Sequence, residues 1–350
     1  MNELRIGIVG AGDVARSHLE GLLRAEGVRV TALAEPVEAR RTHFARSAGI
    51  DFAVADYRLV LASNDVDVVL ILTPHNLHAT MACEALRAGK HVICEKPMSP
   101  IVGECDRMID TARACGRELH ITHSLREVFF YRTASRRRRE GALRKPLGAS
   151  FRWYTDEESR LNDPAHWKGT RSGSGGGVLI DGGCHVADLA NAFFGRARQV
   201  TAVASKLVAR RPEVAEDTAA LAIEYESGAL VSVLLSFTAG SSFSGPGGFA
   251  AGMSVTLFGS DGSFDGGYMV RDGALMQWCH ERNKGQPDVS HPEDNPLRWG
   301  DIDVSILRAL QKKAPPPLTA LDARNAVAVV DAAYQSLASG RNAEVDWRDE

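Results

Sequence analysis

The sequence has no C-x-x-C pair and no strong excess of either charge. Nor does it contain a run of about eighteen uncharged apolar residues. Each absence removes a class of protein. The six cysteines (Cys83, Cys94, Cys105, Cys115, Cys184 and Cys279) are widely spread. They indicate neither a disulfide framework nor a zinc site, and isolated free thiols are expected. No metal is called for. A formal net charge of -3 gives no electrostatic reason to expect nucleic acid or an anionic membrane surface as a partner. The opening MNELRIGIVG enters a strand with no apolar leader, so a cytoplasmic location is expected.

What is present is an ordinary globular composition, 44% hydrophobic and 24% charged, over 350 residues. That length suffices for about two domains, each with its own core. The one local charge run is Arg136 to Arg139, with Arg132 nearby. On a helix these point in several directions, so a solvated face is expected, with an oligomer contact or anion site the alternative.

Leu4 to Val9 reads as a short apolar strand, followed at once by Gly10-Ala-Gly12-Asp-Val-Ala15 and a helix to about Glu26. Gly10 permits a tight turn, Gly12 lets the backbone approach a pyrophosphate, and small Ala15 lets helix and strand pack closely. A pyrophosphate is expected over the helix N-terminus, near Gly12, Asp13 and Val14, where unpaired amides and the helix dipole favour an anion. A second strand, Val28 to Ala34, ends at Glu35. A carboxylate there can accept both ribose hydroxyls and would repel a 2'-phosphate, which favours NAD over NADP. Arg40 and Arg41 soften that preference but fall on the next helix.

Asp65 to Leu72, DVDVVLIL, ends in a continuous apolar run, as for a strand buried on both faces of a parallel sheet. Thr73, Pro74 and His75 follow it and open a helix carrying His78. His75 and His78 can touch a cofactor or serve as cap and packing residues. The strand before Pro97 ends in Glu95 and Lys96, and a lysine at that end lies in the crevice, where it can stabilise alkoxide character on a substrate hydroxyl. A surface Glu95 to Lys96 patch is the plain alternative.

Four motifs in order settle the balance. Gly10 to Ala15 (G-x-G-x-x-A), Thr73 to His78 (T-P-x-x-x-H), Ala88 to Pro97 (A-G-K-H-V-x-x-E-K-P) and Asp181 to Asp188 (D-x-G-x-H-x-x-D) resemble the Gfo/Idh/MocA family of NAD(P)-dependent oxidoreductases over nearly the whole chain. The resemblance implies an α/β protein of two domains. Residues 1–122 would form an N-terminal Rossmann domain with a doubly wound parallel sheet. Residues 123–350 would form an α+β domain with a large, mostly antiparallel, open-faced sheet for substrate binding and oligomerisation. The family's Asn-x-Arg in the crossing segment has Ser124 in place of the asparagine, while Arg126 matches.

The second half supplies runs suited to such a sheet: Gly148 to Tyr154, Gln199 to Val208, Ala219 to Glu226, Ala229 to Thr238 and Ser254 to Gly259. An open sheet face this long needs cover, and in the resembling family it forms a subunit interface, which implies a homodimer or homotetramer. Ser241 to Gly252 reads as a flexible Gly/Ser loop. Pro315 to Pro317 precedes a final helix, about Ala320 to Ala338, and a last strand near Glu344.

Asp181 and His185 are four apart, on one face of a helix. The carboxylate can orient the ring and stabilise an imidazolium, and the ring accepts a proton near neutral pH. Asp188 reads as a packing or supporting partner. Gly175 to Gly177 are expected to let the backbone approach cofactor and substrate. Trp167 suits a wall for an apolar sugar face or a packed loop anchor, and Lys168, Arg126 and Tyr154 complete a polar pocket that leaves a carboxylated substrate open. With Lys96 and a nicotinamide site, the expected reaction is oxidation of a secondary hydroxyl on a sugar, inositol or related ring: Lys96 and His185 bond the hydroxyl, His185 takes its proton, and hydride leaves to NAD. Two alternatives remain: a redox-neutral NAD-using glycosidase or lyase acting through transient ring oxidation, and a non-enzymatic sugar-sensing regulator. The latter tends to lose residues such as Lys96, Asp181 and His185, all present here.

Overall fold

The structure, a computed structural model, describes residues 3–238, 251–271, 274–291 and 298–349. The chain divides into two compact units, Met1–Ser124 with Arg298–Arg324, and Leu125–Leu297 with Asn325–Glu350.

In the first unit, β1 (Leu4–Val9), β2 (Val28–Ala34), β3 (Phe52–Val54), β4 (Val68–Ile71), β5 (His91–Glu95) and β6 (Leu119–Thr122) form one parallel sheet in the order β3-β2-β1-β4-β5-β6. Helices α1 (Ala15–Arg24), α2 (Glu38–Ala48), α3 (Tyr57–Ala62), α4 (His78–Arg87) and α5 (Val102–Cys115) connect the strands. Every residue of β4 is buried, which is why its sequence is an unbroken apolar run rather than an alternating one. The strand order reverses between β1 and β4. Loops leaving the carboxyl ends of β1, β2, β4 and β5 therefore border the crevice where this architecture binds nucleotides.

The second unit begins with α6 (Phe129–Arg139), then β7 (Pro146–Thr155), α7 (Glu158–Asn162), α8 (Arg171–Ser174), a π-turn (Leu179–Gly183) and α9 (Cys184–Phe194). Strands β8 (Ala197–Ser205), β9 (Thr218–Tyr225), β10 (Leu230–Ser236), β11 (Ala251–Gly259), β12 (Gly262–Arg271), β13 (Ala274–Asn283), β14 (Val289–Ser290) and β15 (Ala343–Glu344) join β7 in a sheet ordered β14-β13-β12-β11-β7-β10-β9-β8-β15. Only β7 and β10 run parallel; the other pairs are antiparallel. Positions 241–250 of the expected Gly/Ser loop lie outside the described residues, and Gly252 is already within β11.

One face of this sheet is covered. Ala149, Phe151 and Trp153 of β7 and Val231, Val233 and Leu235 of β10 are buried, and α9 and α11 (Ala320–Ser339) lie over them. Gly182 makes this approach possible, since a Cβ there would sit 2.5 Å from the Trp153 ring. The register aligns Leu230, Ser232 and Leu234 with Gly148, Ser150 and Arg152 on the other, open face.

The expected domain boundary leaves all of 123–350 in the second unit, but the segment Arg298–Arg324, with α10 (Asp301–Leu310), belongs to the first. The reason is close packing on α1. A Cβ on Gly21 would overlap the Gly300 carbonyl, and Arg24 pairs with Asp301 at 2.7 Å. The Arg324 guanidinium meets Asp106 of α5 at 3.1 Å. Five of the six cysteines are buried, and all six are free thiols.

Candidate functional site

The nucleotide-binding features lie within the first unit. Gly10 has φ +99°, and a Cβ there would be 2.6 Å from the Leu72 carbonyl oxygen, so only glycine fits between the ends of β1 and β4. Gly12 has no atom within 4 Å of where its Cβ would be. Asp13 and Val14 are exposed, and α1 starts at Val14 without a side-chain cap. An uncapped helix N-terminus with open space above a glycine suits a pyrophosphate. Thr73 Oγ1 is buried without a hydrogen-bond partner in the protein, and Pro74 beside it is half-buried. These residues fit a dinucleotide.

Glu35 is buried at the end of β2, and its two carboxylate oxygens accept the backbone amides of Ala11 and Val37, each at 2.9 Å. It thus braces the glycine turn as well as presenting negative charge, and each oxygen retains a lone pair for a ribose hydroxyl. Arg41 donates to the Glu35 carbonyl at 2.8 Å, closer to this corner than its helix position suggests. His75 is buried, with its ring centroid 5.8 Å from that of His78. His78, a candidate cofactor contact from sequence, is committed elsewhere: its fully buried ring bridges the carbonyls of Pro97 and Thr73 at 2.9 Å each. It ties the loop after β4 to that after β5. Lys96 follows β5 directly, half-buried, with a cis bond to Pro97. Glu95 faces His18 of α1, Nε2 to Oε1 at 3.3 Å.

In the second unit, Asp181 and His185 are both buried. Asp181 lies in the π-turn, not in the regular helix expected, and the wider turn shifts it relative to the α9 face that carries His185. Single π-turns recur at functional sites because they re-aim a side chain. The Asp181 carboxylate accepts Lys168 Nζ at 2.8 Å, and the same ammonium meets buried Glu157 at 3.1 Å. Lys168, expected to contact substrate, is therefore first a cation shared by two carboxylates. Trp167 packs on its neighbours: it stacks on His166 with centroids 5.8 Å apart, and Lys168 Nζ lies 5.7 Å from its ring centre.

Three expectations change. The Arg126 guanidinium, a candidate substrate contact, is engaged by protein groups: Nε and Nη2 each donate to Asp188 at 2.7 Å, and Nη1 donates to the Tyr131 hydroxyl at 2.7 Å. This bidentate pair gives the last aspartate of the D-x-G-x-H-x-x-D motif a supporting role. Tyr154 alternates with Trp153 and Thr155 and so points to the open sheet face, opposite the helices that carry Asp181 and His185. The glycines before Asp181 press against protein: Cβ atoms on Gly176 and Gly177 would overlap the Tyr334 hydroxyl and the Glu216 carbonyl. Gly177 N donates to Glu216 Oε1 at 3.1 Å, and the Tyr334 hydroxyl donates to the same oxygen at 2.8 Å.

Sequence reasoning missed His18, Asp303 and Glu157. No local pattern marks His18 or Glu157 as functional. Asp303 sits on α10, whose buried Ile302, Ile306 and Leu307 carry a helical apolar spacing that could have revealed the helix.

Comparison with known proteins bears on both units. Residues 4–123 match the GFO_IDH_MocA model, described as an oxidoreductase family with an NAD-binding Rossmann fold, and residues 140–345 match its companion, the oxidoreductase family C-terminal alpha/beta domain. A 1,5-anhydro-D-fructose reductase of Ensifer adhaerens is 32% identical over 184 residues, 53% of this chain and 54% of that protein. A levoglucosan dehydrogenase of Pseudarthrobacter phenanthrenivorans is 32% identical over 228 residues, 61% of this chain and 56% of that protein. A glycosyl hydrolase family 109 protein of Shewanella baltica is 35% identical over 124 residues, 32% of this chain and 26% of that protein. The chain spans little more than half the length of the first two. Among solved structures, a levoglucosan dehydrogenase in complex with NADH superposes with a TM-score of 0.85 at 21% identity, covering 99% of this chain and 100% of that one. The WlbA dehydrogenase of Bordetella pertussis, in complex with NADH and UDP-GlcNAcA, gives 0.82 at 20% identity, covering 99% and 100%. At that identity the likeness shows the fold.

Proposed function

The chain belongs to the Gfo/Idh/MocA oxidoreductase family, with an NAD-binding Rossmann domain, and from that premise we propose that it is an NAD-dependent dehydrogenase oxidising a secondary hydroxyl of a sugar, inositol or related polyhydroxylated ring. The observation that carries this reading is the buried Asp181 with its Lys168 cation, one turn before buried His185. That is an acid-base group in a chain whose other unit holds a dinucleotide cradle. The sugar class is supported by the relatives, named for levoglucosan and 1,5-anhydro-D-fructose.

NAD, when bound, supplies the hydride acceptor. The chain's own residues do the rest. Lys96 donates a hydrogen bond to the reacting hydroxyl and stabilises developing alkoxide charge. His185 accepts the hydroxyl proton. Asp181 stabilises the resulting imidazolium, and Lys168, itself held by Glu157, orients the Asp181 carboxylate. Glu35 opposes a 2'-phosphate and so selects NAD. Replacing His185 or Lys96 by Ala should lower kcat by about 10²-fold or more, as expected for loss of an acid-base group, while NADH affinity by fluorescence titration stays within about threefold. Wild-type turnover in either variant, on a panel of polyols, sugars and sugar acids, overturns the assignment.

The family 109 glycosyl hydrolase relative favours a second reading, redox-neutral cleavage through transient ring oxidation. Net glycoside cleavage with substoichiometric NADH distinguishes it. A homodimer or homotetramer through the second unit's sheet is also proposed. Val203, Leu230, Leu234, Phe258 and Met276 are large apolar residues left exposed, and the pairing registers place them on one open face. Leu234→Glu should shift the sedimentation mass towards the monomer, and an unchanged mass removes this face as the interface.

A further inference from the structure

One buried charge cluster in the first unit has no part in the chemistry above. His18 of α1 places Nδ1 at 2.9 and 3.0 Å from the two carboxylate oxygens of Asp303 on α10, and Nε2 at 3.3 Å from Glu95 Oε1 at the end of β5. His18 is 4% exposed and Asp303 0%, and the Glu95 side chain is 14% exposed. Both ring nitrogens face carboxylates, and only an imidazolium donates from both. We propose that His18 and Asp303 are positioning residues for the cofactor site, fixing the Glu95 carboxylate, ionised and in one orientation, beside Lys96. The proposal rests on the reading of Glu95 and Lys96 as part of that site.

Charge and topology support it. His18 and Lys96 as cations balance Glu95 and Asp303 as anions, so the cluster is neutral as a whole. Burial opposes a charged ring, but the two carboxylates outweigh it and raise the His18 pKa to about 10. Glu95 is held below the ordinary carboxylate range: burial acts against this, and His18, then Lys96, prevails. Burial pulls Asp303 towards protonation, but a ring with two carboxylate partners is the better place for the proton. The remaining charged neighbours are accounted for: Arg24 on α1 pairs with Asp301, and His78 on α4 is tied to backbone carbonyls. With a pKa of about 10, His18 therefore keeps its proton from about pH 6 to 9, and the returning segment that carries α10 supplies its carboxylate partner.

The test uses the full chain with isotope-labelled histidine. The His18 resonance, assigned by its loss in His18→Asn, should be of imidazolium type and flat from about pH 6 to 9, and NADH affinity should show no step from this cluster over that range. In Asp303→Asn the His18 titration should move into the window, since the anion holding its proton is gone. NADH affinity should then change at least fivefold across the window, with the same midpoint. Glu95→Gln should act in the same direction and serves if Asp303→Asn fails to fold. A His18 resonance that titrates below about pH 8 in the unaltered protein overturns the proposal. So does an unchanged pH profile of NADH affinity in both variants. Neither readout needs turnover, so failure to oxidise any sugar sinks the dehydrogenase reading and leaves this one to its own result.

Discussion

The two glycine stretches make an instructive pair. At Gly12 nothing lies within 4 Å of a would-be Cβ, whereas at Gly176 and Gly177 the same atom would overlap Tyr334 and Glu216. Both look in sequence like a backbone that must be approached closely. In the first unit no protein atom fills that space, as a ligand cradle requires; in the second the approaching body is the protein itself. A glycine run reports that space is needed and does not report for whom.

Substitutions can sharpen or break that contrast. The largest effect is expected at Gly177→Ala, where a methyl group meets backbone rather than a movable side chain. Overpacking of this kind costs about 1–3 kcal/mol or more, read as a lower midpoint in denaturant with NADH affinity little changed in the protein that remains folded. Gly12→Val should do the reverse. Stability should move by less than about 0.5 kcal/mol, as at a site without neighbours, while NADH affinity drops at least about tenfold, equivalent to about 1.4 kcal/mol. If Gly12→Val binds NADH normally, the cradle lies elsewhere.

The smallest effect concerns Glu216, whose carboxyl is pushed above its ordinary pKa by burial, against hydrogen bonds from Tyr334, Gly177 and Leu179 that favour the charged form. A carboxyl with a raised folded-state pKa binds its proton more tightly when folded. Its contribution to stability is therefore complete below the unfolded pKa and declines as pH rises through the folded one. Glu216→Gln keeps the acceptor oxygen and removes the titration. It should flatten this part of the pH dependence of the melting temperature, leaving stability equal or slightly higher at pH 7. A steeper decline in the variant would show that Glu216 is held as an anion.

Much of the first unit was legible. Leu4–Val9 and Val28–Ala34 emerge as strands with the expected bounds, and β4 falls within the expected Asp65 to Leu72 segment because a parallel strand buried on both faces is written as an apolar run. In the second unit β7 to β11 and the final helix were found, but β12 and β13 were not. Gly262, Gly266 and Gly267 interrupt the alternation of β12. A Cβ at Gly266 would collide with the Phe130 ring of α6, and one at Gly267 with the Met253 carbonyl of β11, so those glycines answer to close neighbours rather than to strand propensity. Among the site residues, motif spacing singled out Lys96, Asp181 and His185 but not their partners. The contacts of Lys168 with Asp181 and of Arg126 with Asp188 join positions 13 and 62 residues apart. No local period encodes such separations.

By itself, then, the sequence determined the family, the parallel sheet with its glycine turn, and the identity of the residues expected to do chemistry, since these are written in short-range spacing and composition. Only the tertiary structure decided that Arg126 serves Asp188, that Tyr154 faces the open side of its sheet, that Gly176 and Gly177 accommodate Tyr334 and Glu216, and that Asp303 returns across the chain to meet His18. The physical reason is common to all four. Burial forces each charge or close backbone approach to find a complementary partner, and which partner arrives is settled by the packing of elements distant in sequence.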